Sequence, residues 1–406
     1  MLSYDEALER VLSAAVPLPP EEVPLAEARG RAVSQDVFAP LALPSFDNSA
    51  VDGFAVRALD TTGASPQTPV RLMVGETISA GQAPTKALAL GTASRIFTGA
   101  PLPAGADALV MVEDTESSGS EVSLYAPGSA RFLRRRGSDL QSGALALAAG
   151  SEIDAGSVGL LAALGKATVS CRRSPRVAIL TTGDELRDPQ EDGNLPPGAI
   201  FNSNAPALAA SVQEAGGIVS LRRHLPDDPE AIRDALAEAS RFEVVLTSGG
   251  VSVGDRDFVK GAVGALGRLD FWRIAIKPGK PLAFGRVGDA LFFGLPGNPV
   301  SSLVTFELFV RPVLRRFAGH SRVLRTVVSA TLAKPLPHEP GRREFVRARI
   351  GAGASDHGGS GALIAVPLGI QDSHRLSSLA LAELLLIAHE DHGDYAAGET
   401  LPALLL

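Results

Sequence analysis

The stretch Thr247-Ser-Gly-Gly-Val-Ser-Val-Gly-Asp-Arg-Asp-Phe258 gathers bare main-chain amides, hydroxyls and carboxylates on one turn. It follows the mostly apolar run 242–246, which reads as a buried strand, and precedes a helix-like segment 258–265. A glycine-rich strand-to-helix turn offers N–H groups and a positive helix end to an anion. Here Ser248, Gly249, Gly250, Ser252 and Gly254 would supply that cradle, while Asp255 and Asp257 could hold a divalent cation against a bound phosphate. A Walker loop would need Lys where Asp255 stands, and the dinucleotide fingerprint would need Gly at Val251. Such turns also form simply because tight turns need positive φ. The loop alone leaves both readings open.

Three neighbouring loops carry related chemistry. In Thr181-Thr-Gly-Asp-Glu-Leu186, Gly183 permits a tight turn, and Asp184 and Glu185 place carboxylates at a strand end. Ile276-Lys-Pro-Gly-Lys-Pro281 sends Lys277 and Lys280 around a turn, a clamp for an oxyanion or phosphate. Leu295-Pro-Gly-Asn-Pro299 brings Pro296 and Gly297 to a helix start, with Asn298 expected as its cap. Singly, Asp184 and Asn298 read equally well as helix caps, and loop lysines as solvated. Four such loops at successive strand ends predict one convergent site for a Mg²⁺-supported polyanion. Nucleophilic catalysis has no support, because neither Ser248 nor Ser252 has a histidine base evident in the sequence, and His224 reads as ordinary.

The elements that must hold these loops follow from periodicity. From Arg176 to about Gly319 strand and helix patterns alternate, which predicts a doubly wound α/β sheet with ligands at the strand C-termini. Its helices are expected at 205–215, capped by Asn204, and from Pro229, capped by Asp228. A last helix from Val300 should kink or break near Pro312. Ser3 and Glu6 form a capping box for an N-terminal helix burying Ala7, Leu8, Val11, Leu12 and Ala15. Residues 20–150 read as short strands, among them 70–74, 108–112 and 122–125, before a short helix at 154–164. Beyond Val323 the helical period gives way to strands at 327–332, 343–350, 362–366 and 384–387, with 351–361 as a flexible hairpin or loop.

Bulk composition narrows the function classes. A chain of 406 residues should form two to four domains. The net charge is −7, and no basic stripe rich in aromatics appears, which argues against nucleic acid as a partner. The basic run 131–136 reads as a solvated loop or strand edge. A single cysteine, Cys171, excludes an internal disulfide framework and thiolate metal clusters, and is expected as a small buried side chain. Charged residues at Asp5, Glu6, Glu9 and Arg10 argue against a signal peptide, and no apolar stretch approaches the ~18 residues of a membrane span. A soluble, cytoplasmic protein is the expectation.

Taken together, S-G-G-V-S-V-G-D-R-D-F, T-T-G-D-E-L, K-P-G-K-P and L-P-G-N-P resemble the motifs of the molybdopterin molybdenumtransferase (MoeA) family, related to the E domain of gephyrin. The N-terminal half agrees in Pro44-Ser-Phe-Asp-Asn-Ser-Ala-Val-Asp-Gly-Phe-Ala55, Phe97-Thr-Gly-Ala-Pro-Leu-Pro103 and Arg135-Arg-Gly-Ser-Asp-Leu140. Asp372-Ser-His-Arg-Leu-Ser-Ser378 resembles its C-terminal element. Phe54 stands where the family usually has Tyr, which removes a hydroxyll from that position.

The resemblance implies a multidomain α/β plus β protein. Residues 1–45 and 140–173 would form an elongated N-terminal domain and 46–139 an inserted β-domain; 174–320 would be the doubly wound α/β domain that binds molybdopterin, and 325–406 a C-terminal β-barrel-like domain. It implies a homodimer with composite active sites, and a reaction in which adenylylated molybdopterin takes molybdenum from molybdate and releases AMP, assisted by Mg²⁺. It further implies transient contacts with other proteins of molybdenum cofactor biosynthesis, and no membrane partner. Asp52, Thr98, Asp139, Glu185, Asp257, Lys277 and Lys280 are the implied catalytic residues, with Glu185 and Asp257 as metal ligands. Gly183, Asp184, Asp228, Ser248–Gly250, Ser252, Gly254, Pro296–Asn298 and Ser373 are the implied substrate contacts. Two rivals stand beside this reading. One is a molybdopterin adenylyltransferase, which shares the α/β segment but carries G-G-T-G in the comparable loop. The other is a non-catalytic scaffold of the same fold.

Overall fold

The computed structural model describes residues 1–189, 193–250, 258–351 and 363–406. The chain packs as two compact units, one of Met1–Gln35, Ala149–Asp154 and Thr168–Leu406, the other of Asp36–Ala148 and Ala155–Ala167.

The larger unit is organised on a six-stranded sheet. In spatial order its strands are Ile218–Leu225, Arg176–Thr182, Val244–Ser248, Ala290–Leu295, Pro281–Val287 and Gly267–Arg273. The first four run parallel, and the last two are antiparallel to their neighbours. The central strand Arg176–Thr182 is buried from its second residue to its last, as a strand covered on both faces must be. Val177 and Ile179 pack with Leu208 and Val212 of the helix Asn204–Glu214. Ala178 and Leu180 pack with Ile232, Ala235 and Leu236 of the helix Pro229–Ala239. Helices thus cover opposite faces, and the doubly wound expectation holds. The capping box at Ser3 and Glu6 forms as expected, and the helix it starts, Tyr4–Ser13, buries Ala7 and Val11 in the first of these cores.

Chain order fixes where a ligand would enter. After Arg176–Thr182 the chain adds Ile218–Leu225 on one side, then crosses to add Val244–Ser248 on the other. The loops leaving Thr182 and Ser248 therefore diverge, and their divergence opens a crevice at this switch point.

The C-terminal strands close on themselves. Arg343–Ile350 pairs with Leu363–Pro367, that strand with Val327–Leu332, that with Thr400–Leu405, that with Leu384–Ala388, and Leu384–Ala388 returns to Arg343–Ile350. The ring is a five-stranded barrel. The strand Thr400–Leu405 was not anticipated, because Pro402 argues against a strand there. Outside the ring, Ile276–Lys277 pairs in parallel with Arg343 and Glu344 and ties the barrel to the sheet domain. The loop expected at 351–361 lies, from residue 352 on, outside the described residues.

The last helical stretch differs in detail from expectation. Pro299–Thr305 passes into a π-helical turn at Phe306–Val310, and Arg311–Phe317 resumes the α-helix with Pro312 in its first turn. The irregularity immediately precedes Pro312, which has no N–H to continue an α-helical ladder, so the expected break near this proline takes the form of a π-turn.

The second unit holds a six-stranded sheet in the order Ala108–Met111, Gly53–Val56, Thr92–Ile96, Val70–Ile78, Glu121–Leu124 and Thr115–Ser118. Phe54, Val56, Leu72, Val110, Val122 and Leu124 form its main core. Gly53 is obligatory, since a Cβ there would lie 1.9 Å from the carbonyl oxygen of Val110. The helix Ala155–Ala163 also belongs to this unit. Cys171, in the larger unit, is fully buried, as its composition-based reading required.

Candidate functional site

A cavity of about 720 Å³ opens at the switch point of the six-stranded sheet. Three of the four motif loops line it with described residues: Thr182, Gly183 and Glu185 from the first, Ser248–Gly250 from the second, and Pro296–Asn298 from the fourth. Pro281 adds the end of the lysine loop. The register explains this meeting. Ser248 pairs with both Thr181 and Leu295, and Gly294 pairs with Ala283, so all four loops leave the same end of the sheet.

Gly249 and Gly250 have φ of 93° and 65°, in the left-handed region. A Cβ on Gly249 would lie 2.7 Å from the Thr182 carbonyl oxygen, and one on Gly250 2.7 Å from Val259. Both glycines are therefore required by close approach as well as by φ. Ser252, Gly254, Asp255 and Asp257 lie outside the described residues.

Asn204 ties two of the loops together. Its side-chain amide donates to Ser248 Oγ at 2.8 Å and to the Gly297 carbonyl at 2.8 Å. The Ser248 hydroxyl in turn reaches the Pro296 carbonyl at 3.3 Å. This corrects the reading of Asn204 as a helix cap. The helix begins at Asn204 itself, and the side chain that meets its first turn is Asn202, whose Oδ1 accepts from the Ala205 amide at 3.2 Å. Asn202 also donates to Thr181 Oγ1 at 2.8 Å, which fixes the strand end below the cavity.

Asn298 holds the N-cap position of Pro299–Thr305 but makes no capping bond. Its amide donates to Ser373 Oγ at 3.0 Å, and Ser373 accepts the Val300 amide through its carbonyl at 3.2 Å. The expected contact residue Ser373 thus joins the fourth loop, beside His374, which lines the cavity. Asp228 caps its helix by accepting from the Ala231 amide at 2.7 Å. Asp184 does not line the cavity; its Oδ1 accepts the Asp227 amide at 3.2 Å.

Two carboxylates do line the space, the exposed Glu185 and Asp227. The Glu185 carboxylate folds back over Gly183, 2.6 Å from where a Cβ would stand. No cluster of three or more His, Cys, Asp or Glu side chains that could hold a metal occurs among the described residues. Hard oxygen donors beside hydroxyls and main-chain groups nevertheless suit Mg²⁺, which binds through one or two carboxylates and keeps its remaining waters.

The lysines stand elsewhere. Neither Lys277 nor Lys280 lines the cavity. Lys277 Nζ lies 3.1 Å from the buried Glu344, whose other oxygen is 3.1 Å from His338 Nδ1. Three residues beyond Glu344, Arg347 is 0% exposed, with Nε and Nη1 unpartnered and Nη2 donating to the Asp372 carbonyl at 3.2 Å. Burial pushes its guanidinium below the ordinary arginine range, against the opposing pull of Glu344 and Asp372. It is a buried cation with donors to spare, bonded to the residue that precedes Ser373. The sequence reading missed it.

In the second unit Asp52 and Thr98 form a pair. Asp52 Oδ1 accepts from the Thr98 amide at 2.7 Å and from its hydroxyl at 2.8 Å. These bonds, the main-chain one first, hold the Asp52 carboxyl below the usual carboxylate range. Asp139 is exposed, with its amide donating to the Leu43 carbonyl at 3.0 Å. In the basic run, Arg135 pairs with Asp47 at 2.7 Å, and both are solvent-accessible.

Comparison with known proteins matches the chain along its length. Residues 2–165 match the MoeA N-terminal region (domains I and II), 178–316 the probable molybdopterin binding domain, and 329–406 the MoeA C-terminal region (domain IV). Molybdopterin molybdenumtransferase 2 of Mycobacterium tuberculosis is 42% identical over 394 residues, covering 94% of each chain. Molybdopterin molybdenumtransferase of Haemophilus influenzae is 35% identical over 98% of this chain and 97% of its own. A crystal structure of molybdopterin biosynthesis moeA protein from Pyrococcus horikoshii OT3 covers 100% of both chains at a TM-score of 0.84 and 30% identity. Among the described residues no helix is long and apolar enough to cross a membrane.

Proposed function

This chain belongs to the molybdopterin molybdenumtransferase (MoeA) family, and on that premise we propose how its residues divide the work. It is an enzyme of molybdenum cofactor biosynthesis that transfers molybdenum to molybdopterin. Its pterin substrate is adenylylated, molybdate is the metal donor, and AMP leaves when the phosphoanhydride bond breaks. The observation that carries this reading is the 720 Å³ cavity at the switch point, where the motif loops meet through Asn204.

Each group has a chemical task there. Gly249 and Gly250 let the main chain approach a phosphate without a Cβ in the way. Asn204, through Ser248 and Gly297, holds two walls at a fixed separation, which keeps the substrate oriented. Glu185 and Asp227 would hold Mg²⁺, with Asp257 as the expected third carboxylate; when bound, the ion neutralises phosphoanhydride charge. Arg347 offers its free N–H groups to molybdate oxygens, beside the Lys277 and Lys280 loop that pairs with its strand. Homodimer formation, the roles of Asp52, Thr98 and Asp139, a cytoplasmic location and the four-domain division belong to the same proposal.

Incubation of the purified protein with adenylylated molybdopterin, molybdate and Mg²⁺ tests it. AMP release that depends on molybdate is the expected result. ATP-dependent adenylylation of molybdopterin would make it the adenylyltransferase, and inertness in both assays would leave the scaffold.

A further inference from the structure

A second cavity, of about 540 Å³, opens beside the junction between the sheet domain and the barrel. Arg311 and Arg315 enter it from the helix Arg311–Phe317, and Arg322 and Arg325 from the turn that follows; Glu152 and His320 complete its charged and titratable lining. Nothing in the reaction above uses it.

The charges there do not balance. Glu307 accepts from Arg325 at 2.6 Å and lies 3.3 Å from Arg311 Nε, so one carboxylate serves two guanidiniums. Glu152 accepts from Arg315 at 2.6 Å. Arg322 is exposed and enters no ion pair among the described residues. The guanidiniums outnumber the carboxylates that pair with them. Each guanidinium has five N–H donors, so those already paired keep some free.

His320 packs against the same cluster through its Nδ1. Its residue is 6% exposed, and its Nδ1 lies 3.0 Å from Arg315 Nη2. Arginine can only donate, so Nδ1 accepts and the ring proton sits on Nε2, which has no partner. Burial first, then the Arg315 charge, hold this imidazole down to about 4 and keep it neutral. Burial and the like charges of Arg325 and Arg315 pull the Arg311 guanidinium down to about 10 despite Glu307. Crowded, partly desolvated cations of this kind are stabilised by an anion.

We propose that this cavity binds a small phosphate-type oxyanion, either the free ion or a phosphate monoester, gripped by Arg311, Arg322 and Arg325. Fork-shaped guanidiniums match tetrahedral oxyanions in pairs, and the volume exceeds that of a bare phosphate, leaving room for an attached sugar. The site is separate from the motif-loop cavity, so the proposal stands or falls independently of the transferase reading.

Titration calorimetry on the full chain at fixed ionic strength, with inorganic phosphate and with ribose 5-phosphate, tests this. Saturable binding is expected for at least one probe, with a component that the arginine variants weaken, and the tighter of the two identifies the source. Arg322→Ala and Arg325→Gln should each weaken it about tenfold or more. Arg322 is exposed and unpaired, so its variant keeps the fold. Asn204→Ala, in the other cavity, should leave that arginine-dependent component unchanged. Absence of saturable binding by the wild-type chain would overturn the proposal. So would unaltered binding by both arginine variants, or loss of all saturable binding in Asn204→Ala, which would put the anion among the motif loops alone.

Discussion

The carboxamide of Asn204 lies 2.8 Å from the hydroxyl of Ser248, and through that contact the start of a helix is fastened to the end of a parallel strand. The same nitrogen reaches the Gly297 carbonyl, so three chain segments depend on one side chain. Asn204→Ala should lower kcat/KM for molybdate-dependent AMP release by about tenfold, because the walls of the cavity lose their common tie. The helix keeps its Asn202 contact, so the melting temperature should move by only a few degrees. A variant with unchanged kinetics would remove Asn204 from the positioning machinery.

Gly249→Ala tests the cradle. Its φ of 93° and the 2.7 Å approach to the Thr182 carbonyl leave no room for a methyl group. The expected loss is about 2–4 kcal/mol of stability, with AMP release falling in parallel. Denaturant unfolding measures the first, and an alanine tolerated without loss would show that the loop readily takes another path.

Arg347→Met separates a structural from a ligand-binding role. Methionine fills comparable space without a buried charge, so stability should hold or rise. Molybdate affinity, read by calorimetry, should fall about tenfold or more as the guanidinium donors disappear. Wild-type affinity in this variant would end the assignment of Arg347 to the oxyanion.

Glu185→Gln addresses the cation. The carboxylate is exposed, so thermal stability should not change, while Mg²⁺ affinity in a direct titration should fall about tenfold. Equal Mg²⁺ binding in both proteins would place the ion elsewhere.

Acid stability follows from Glu243. Burial works to raise its carboxyl, but hydrogen bonds from Arg176 and Arg173 outweigh that and bring it from 4.5 down to about 2. A depressed carboxylate contributes stability above its unfolded value and loses it as pH falls toward the folded one. Solvent screens this part-exposed pair, so the wild type should exceed Glu243→Gln by about 1 kcal/mol near neutral pH, with the gap narrowing between about pH 4.5 and 2. A pH-independent gap would contradict the linkage.

Legibility in the sequence tracked how local each signal was. Ser3 with Glu6, and Asp228 before Pro229, announce helix starts within four residues, and both caps form. The alternation of strands and helices after Arg176 yielded the doubly wound sheet, because burial on both faces writes long apolar runs. Asn204 was misread because a polar residue before a helix looks like a cap, whereas its partners, Ser248 and Gly297, lie 44 and 93 residues away. The tripeptide Asn202-Ser-Asn204 was the available signal: two amides where one cap suffices. Arg347 was hidden for a related reason, since a charged residue in a strand normally reads as solvent-facing. Its neighbours Val346 and Ala348 face the barrel core, so Arg347 points to the other side, where the segment bearing Gln371 and Asp372 bonds to it.

That closure has a further effect. Thr400–Leu405 is bonded along both flanks, to Val327–Leu332 and to Leu384–Ala388, and its Leu404 also joins the apolar cluster shared with the sheet domain. Like the last stave of a hoop, it cannot loosen by itself: freeing it would bare two raw edges at once and strip a side chain from the neighbouring domain's packing. Fraying at this end should therefore register in hydrogen exchange as the opening of the whole ring, not as the quiet peeling of a terminal strand.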